Sequence, residues 1–92
     1  MPDYVQPTIE LLSRAFPTGL RTAEYFAVLA ELAPHMSQRN LAEVMAVFLS
    51  GSSGLIYNDI LGVDNRTIDP ALVDDIRHKL SEAGFDHWLR ET

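Results

Sequence analysis

Three histidines are the first residues of this chain to consider for chemistry, because imidazole nitrogens bind metals and transfer protons. They are His35, His78 and His87. A zinc site would pair such residues at helical spacing or join them to cysteines. No two of these histidines are four residues apart, and the chain has no cysteine. We therefore interpret them as surface or boundary residues and predict no metal site.

Four aspartates, Asp64, Asp69, Asp74 and Asp75, are a second candidate for binding a cation. A calcium loop alternates its acids around a central glycine, and the stretch "DNRTID" does not. Acids at the start of a helix also cap it or complement its dipole. The structural interpretation is the stronger one, and no cofactor is predicted.

The stretch "GSSG" at 51–54 holds the serines that most resemble a nucleophile motif. In the nucleophile elbow a serine lies between glycines two residues away on each side, directly after a strand. Here the second glycine comes one residue early and no strand pattern precedes it. Glycine-rich phosphate loops are missing as well. The sequence predicts that the protein is not an enzyme, and it leaves open a constellation that forms only in three dimensions.

The charge balance bears on the class of partner. The net charge is −6, and the seven basic residues are scattered along the chain. Because clustered Lys and Arg drive binding to phosphates, nucleic acid and anionic membranes are disfavoured partners. The longest strictly apolar run, "VMAVFL", is too short to cross a bilayer, and "MPDYVQPTIE" does not read as a signal peptide. We expect a cytoplasmic protein.

The elements that must position any site are helices, because apolar residues recur at helical spacing and no stretch alternates like a strand. We predict an all-α fold, a compact single-domain bundle of about five helices over residues 1–92, with helix 37–49 at its centre. The predicted helices cover about 6–15, 22–33, 37–49, 58–63 and 69–84. The third is apolar over most of its circumference, which is typical of a helix buried on several sides.

Local signals predict where these helices begin and end. Thr22, Ser37 and Asn58 are candidate N-caps, and Asp69 followed by Pro70 is a strong helix start. Glycine at position 84 predicts a helix end, after which Phe85, Trp88 and Leu89 are expected to fold back over the core. For Trp88, core cover is favoured over an interface role.

Two acids of the second helix, Glu24 and Glu31, are seven residues apart and so share one helix face. We predict that this face is exposed to solvent. It is the first place to expect contact with a basic or amphipathic protein partner.

The stretch "RAFPTGLRTAEYF" at 14–26 separates the first two helices. Pro17 disfavours helical geometry at Phe16, and Gly19 permits the positive φ of a tight corner. Phe16 continues the apolar stripe of the first helix, and Tyr25 is expected to pack back against the corner. The stretch is interpreted first as an inter-helix corner.

The segments "FPTGLRTAEYFAVLAEL", "SQRNLAEVMAVFL", "NDI" and "DPALVDDIRHKLSEAGF" together resemble a small actinobacterial, mycobacterial-type family of unknown function, the DUF3349-like proteins. Members carry Phe-Pro-x-Gly followed by an acidic residue and Tyr. This chain departs from the pattern at Arg21, where a proline is common, and at Glu24, where Asp is common. The resemblance implies a bundle of about five helices in a mycobacterial-type cytoplasm, and it implies no function.

Without a chemical motif, a small acidic helical domain is predicted to be a protein–protein interaction module, a monomer or weak homo-oligomer. Tyr4, Tyr25, Tyr57 and Trp88 are aromatic residues of the kind enriched at interfaces. The family motif and a candidate interaction surface are formed by Phe16, Pro17, Gly19, Glu24, Tyr25 and Glu31. The alternative is a DNA-binding helix-turn-helix, since "SQRN" places Arg, Gln and Asn at the start of the third helix.

Overall fold

The computed structural model describes residues 5–91, which form six α-helices and no strand. The helices are α1 (Val5–Ala15), α2 (Thr22–Leu32), α3 (Gln38–Leu49), α4 (Ser53–Gly62), α5 (Pro70–Glu82) and α6 (Phe85–Glu91). Short 3-10 turns at Ala33–His35 and Val63–Asn65 follow α2 and α4. The all-α prediction is confirmed, and the sixth helix is the C-terminal segment that was expected only to fold back.

All six helices contribute to the core, and α1, α2, α3 and α5 supply its completely buried side chains. Helix α3 packs against α1 and α4, while α2 packs mainly against α5. The predicted central place of α3 agrees with the complete burial of Leu41, Val44 and Met45. The radius of gyration is 12.1 Å, close to the value of about 12 Å expected for a compact domain of this length.

Helix α6 closes one end of this core. Trp88 is 3% exposed, and its indole Nε1 donates a hydrogen bond of 2.8 Å to the hydroxyl of Thr8 on α1. Arg14 Nε donates to the carbonyl of Ala83 at the end of α5, over 2.8 Å. The prediction that Trp88 covers the core is confirmed, and its polar atom is satisfied inside, as burial of an indole requires.

Most of the predicted helix boundaries are correct. The Ser37 hydroxyl accepts a hydrogen bond from the Asn40 amide, and the Asp69 carboxylate accepts one from the Ala71 amide. Gly84, with φ +101°, follows the end of α5. These boundaries could be predicted because a cap is a contact between residues two or three apart in sequence.

Two predicted N-caps, Thr22 and Asn58, are wrong. The N-cap of α2 is Arg21, whose backbone is extended, and Thr22 is the first helical residue. Helix α4 starts at Ser53 and not at Asn58, because the Ser52 hydroxyl accepts from the Leu55 amide and caps the helix there. The serine-glycine stretch at 51–54, which lies outside the predicted helices, is therefore partly the first turn of α4.

The corner between α1 and α2 has the predicted form. Phe16 is 4% exposed and joins the core, and the Gly19 amide donates a hydrogen bond of 3.0 Å to the Phe16 carbonyl. Gly19 has φ +89°, in the left-handed region. The first turn of α2, which follows the corner, contacts α5 through the hydrogen bond from Lys79 to Glu24.

None of the helices within residues 5–91 has the length and apolar character needed to cross a bilayer.

Substitution of Gly19 by Ala tests the corner. No atom lies within 4 Å of the added methyl group, so any loss of stability comes from the backbone alone. We expect Gly19→Ala to lower the free energy of unfolding by about 1 kcal/mol or more, measured by urea denaturation. The control is Gly62→Ala, which also adds its methyl group in open space but at φ −95°. Equal stability of the two variants would contradict the argument.

Candidate functional site

The motif residues of the corner meet the end of α5 at a surface cleft of about 420 Å³. We call it the corner cleft. Phe16, Pro17 and Gly19 of the corner line this cleft together with Glu24 of α2 and Lys79 of α5. Four of the six predicted site residues therefore come together in space, around one buried carboxylate.

That carboxylate belongs to Glu24, which is only 5% exposed. Its Oε1 accepts a hydrogen bond of 2.9 Å from the Arg21 amide and one of 3.2 Å from Arg21 Nε, and its Oε2 accepts one of 3.2 Å from Lys79 Nζ. The bond from the Arg21 amide is the main reason that the pKa of Glu24 is lowered, and it outweighs the effect of burial.

Lys79 links two acids on different helices. Its Nζ lies 3.2 Å from the carboxylate of Asp75, one turn earlier on α5, and 3.2 Å from that of Glu24. Asp75 and Lys79 are four residues apart on α5, the spacing at which an acid and a base pair along a helix. The hydrogen bonds that Lys79 donates to Asp75 and then to Glu24 raise the pKa of Lys79, so its amine is held firmly in the charged form.

Glu31 lies two turns further along α2 and also faces α5. Its Oε1 accepts a hydrogen bond of 2.9 Å from Arg77 Nε, and its side chain is 17% exposed. The prediction that Glu24 and Glu31 form an exposed acidic face is wrong. Both acids do share a face, but that face packs on α5 and pairs with its cations, Lys79 and Arg77.

Tyr25 lies away from the corner cleft and is tied to α4. Its hydroxyl donates a hydrogen bond of 2.7 Å to Asp59 Oδ2. Burial of the phenol, followed by this contact with Asp59, raises the pKa of Tyr25 well above its ordinary range. The hydroxyl is therefore a positioned donor at neutral pH and joins the start of α2 to α4.

A second cleft, of about 340 Å³, lies beside Tyr25, where the start of α2 meets the turn between α3 and α4. We call it the Leu55 cleft. Its walls are mainly apolar, and Leu55 is 68% exposed on its edge. The apolar lining comprises Leu20, Tyr25, Leu49, Leu55 and Ile56. Sequence reasoning missed this cleft, because it is lined by residues from three separate parts of the chain.

The other candidate residues are not brought together. His78 and His87 each lie 2.9 Å from an acid one turn later, Glu82 and Glu91, and His35 packs edge-on against Phe85. Among residues 5–91, no three side chains of His, Asp or Glu gather in a way that could hold a metal ion. Tyr4 lies outside the described residues.

Comparison with known proteins identified no relative of this chain. No protein-family model, no curated protein and no solved structure matches the chain. The class that the fold defines is an all-α bundle with two surface clefts at the α1–α2 corner. The resemblance to the DUF3349-like family stays a prediction.

Replacement of Glu24 by Gln tests the buried carboxylate through pH. A folded-state pKa below the ordinary value of 4.5 stabilises the fold above that pH, and the contribution is lost as pH falls through the folded pKa. We expect Glu24→Gln to lower the free energy of unfolding by about 1–3 kcal/mol at pH 7, since bonds to a charged group are lost. The difference from wild type should shrink below pH 4.5.

The matched control is Glu43→Gln. Glu43 is exposed and has no ion-pair partner among residues 5–91, so its replacement should change stability little at any pH. Denaturant unfolding between pH 3 and pH 7 measures both. A wild-type advantage over Glu24→Gln that does not change with pH would refute the electrostatic account.

Proposed function

We propose that this protein is a non-enzymatic protein–protein interaction module that binds its partner at the Leu55 cleft. The observation that carries the proposal is the position of Leu55. It is the most exposed of the large apolar side chains in residues 5–91, and it stands on the edge of an apolar cleft. Exposed apolar surface beside a concave apolar wall is typical of a site that another protein covers.

A protein partner fits this cleft better than a small ligand does. Small-molecule sites enclose most of the ligand surface, usually 70–90% of it. The Leu55 cleft has a wall residue that is two-thirds exposed, so it can enclose a guest only from one side. A partner that continues over the rim covers Leu55 as well as the cleft floor.

The chemistry of the lining defines what the partner presents. Leu20, Leu49 and Ile56 supply an apolar floor, which favours one or two apolar side chains as anchors. Arg21 contributes the charge at the rim, and its side chain is 75% exposed. A partner segment with an aliphatic or aromatic anchor and no cation beside it is therefore favoured.

The non-enzymatic part of the proposal is supported by the hydrogen bonds that the polar groups at the corner already make. The Glu24 carboxylate accepts from Arg21 and Lys79, and the Tyr25 hydroxyl is held by Asp59. These two groups at the corner are thus engaged in contacts between helices. We place the module in the cytoplasm and in the actinobacterial family, on the strength of the sequence. Leu20, Arg21 and Tyr25, from the segment that carries the family resemblance, line the Leu55 cleft.

A peptide-display experiment tests the proposal. We expect a random peptide library selected on the wild-type protein to yield apolar-anchored peptides, and Leu55→Asp to weaken their binding at least tenfold in calorimetry, because a charge at the rim opposes burial of the anchor. Ser81→Asp on α5 adds the same charge at an exposed site outside both clefts, and it should leave binding unchanged. Failure to select any peptide, or equal binding to both variants, would overturn the assignment.

The helix-turn-helix alternative predicts DNA binding, and it is tested separately from the peptide-binding proposal. The start of α3 carries Arg39, with Glu43 one turn later, and α3 holds no further cation. Since phosphate contacts by several cations supply most non-specific affinity, we expect no binding to a random-sequence duplex even at about 50 mM salt. Fluorescence anisotropy measures it. Binding that weakens steeply as salt is added would restore the DNA-binding interpretation.

A further inference from the structure

The outer face of the α3–α4 hairpin is a second unpartnered surface, separate from the Leu55 cleft. On α3, Arg39, Glu43 and Val47 follow one another at spacings of four and form a single stripe. On α4, Gly54, Tyr57 and Leu61 form a matching stripe. We call the six residues the hairpin face.

The two stripes lie side by side. Arg39, Glu43, Gly54 and Tyr57 line one shallow depression of about 510 Å³ between the helices. Within the hairpin face three large apolar side chains are open to solvent: Val47 is 50% exposed, Tyr57 37% and Leu61 51%. Gly54 has no side chain, so another surface can approach the backbone there.

The charges of this face are unpaired in the monomer. Arg39 and Glu43 are four residues apart on one helix, yet no ion pair joins them, and neither has another ion-pair partner among residues 5–91. The order of the two is the less favourable one for a pair within a helix, where the acid should come first. The face therefore displays one cation and one anion about one turn apart.

A surface with these properties is complementary to itself. We propose that the hairpin face binds a second copy of this chain as a two-fold symmetric dimer. A two-fold axis that passes midway between Arg39 and Glu43 on α3 places Arg39 of each copy across from Glu43 of the other, because a symmetric interface matches residue i with j and j with i.

The area of the face sets the strength of the dimer. Three partly exposed apolar residues make a small interface core, below the roughly 800 Å² per partner of a standard stable complex. The dimer is therefore weak and forms at high protein concentration. The net charge of −6 on each copy does not prevent it at physiological salt, where charges beyond about 8 Å are screened.

Charge exchange across the axis gives the decisive test. Sedimentation velocity of the full chain, from about 10 μM to about 1 mM at physiological salt, should show a monomer–dimer equilibrium for the wild type. Arg39→Glu and Glu43→Arg should each raise the dimer Kd about tenfold, because each places like charges opposite one another. The R39E/E43R double variant should return the Kd to within about threefold of the wild-type value.

A mixture of the two single variants is a second test of the charge pairs across the axis. One copy then carries two acids on its hairpin face and the other carries two bases, so both cross-axis pairs are restored in the mixed dimer only. We expect the mixture to dimerise more tightly than either variant alone. Leu61→Ser should weaken the dimer, while Leu55→Asp, on the other flank of α4, should leave it unchanged.

A wild-type protein that stays monomeric at the highest concentration would overturn the proposal. Dimerisation that Leu55→Asp abolishes and the charge variants do not affect would also overturn it, because the second copy would then occupy the Leu55 cleft. Circular dichroism of each variant shows whether it is folded. The proposal does not rest on the proposed function, since peptide binding at Leu55 and self-association at the hairpin face are measured separately.

Discussion

The structure depends on the carboxylate of Glu24. It is buried, and it accepts hydrogen bonds from the backbone and side chain of Arg21 and from Lys79 of α5. One side chain therefore caps α2, fixes the corner that precedes it and attaches both to α5. Burial of a charge is unfavourable unless it is paired and hydrogen-bonded, and every bond of Glu24 comes from a residue that the corner or α5 must place correctly. The Phe-Pro-Thr-Gly corner delivers Arg21 to that position.

The sequence predicted those features that depend on near neighbours. The Ser37 cap, the Asp69–Pro70 start and the positive φ of Gly19 are each decided within four residues, and each is confirmed. The start of α4 was wrong although it is also local. Two glycines and two serines typical of a connection surround Ser52, and their composition outweighed the capping signal of a single hydroxyl.

The candidate site was predictable only in part. Helical spacing correctly placed Glu24 and Glu31 on one face, but spacing does not say what that face contacts. The cations that pair with them, Lys79 and Arg77, lie 55 and 46 residues away in sequence. The Leu55 cleft could not be predicted from the sequence for the same reason. It joins residues near 20, 50 and 55 through the packing of three elements. On α4 apolar residues occupy the buried and the exposed faces alike, so residue type alone did not identify Leu55 as exposed.

Helix α4 contributes residues to two separate surfaces. Ile56 and Ile60 anchor it in the core, at 6% and 3% exposure. Leu55 and Asp59 lie on one flank, toward α2 and the Leu55 cleft, while Tyr57 and Leu61 lie on the opposite flank, on the hairpin face. A dimer formed through one flank would leave the other flank open on both copies, so it would present two Leu55 clefts at once. A partner with two anchors would then bind more tightly than one with a single anchor, through effective concentration and without any new contact in either cleft. Weak self-association is sufficient for this effect, because the second copy is brought in by the partner itself.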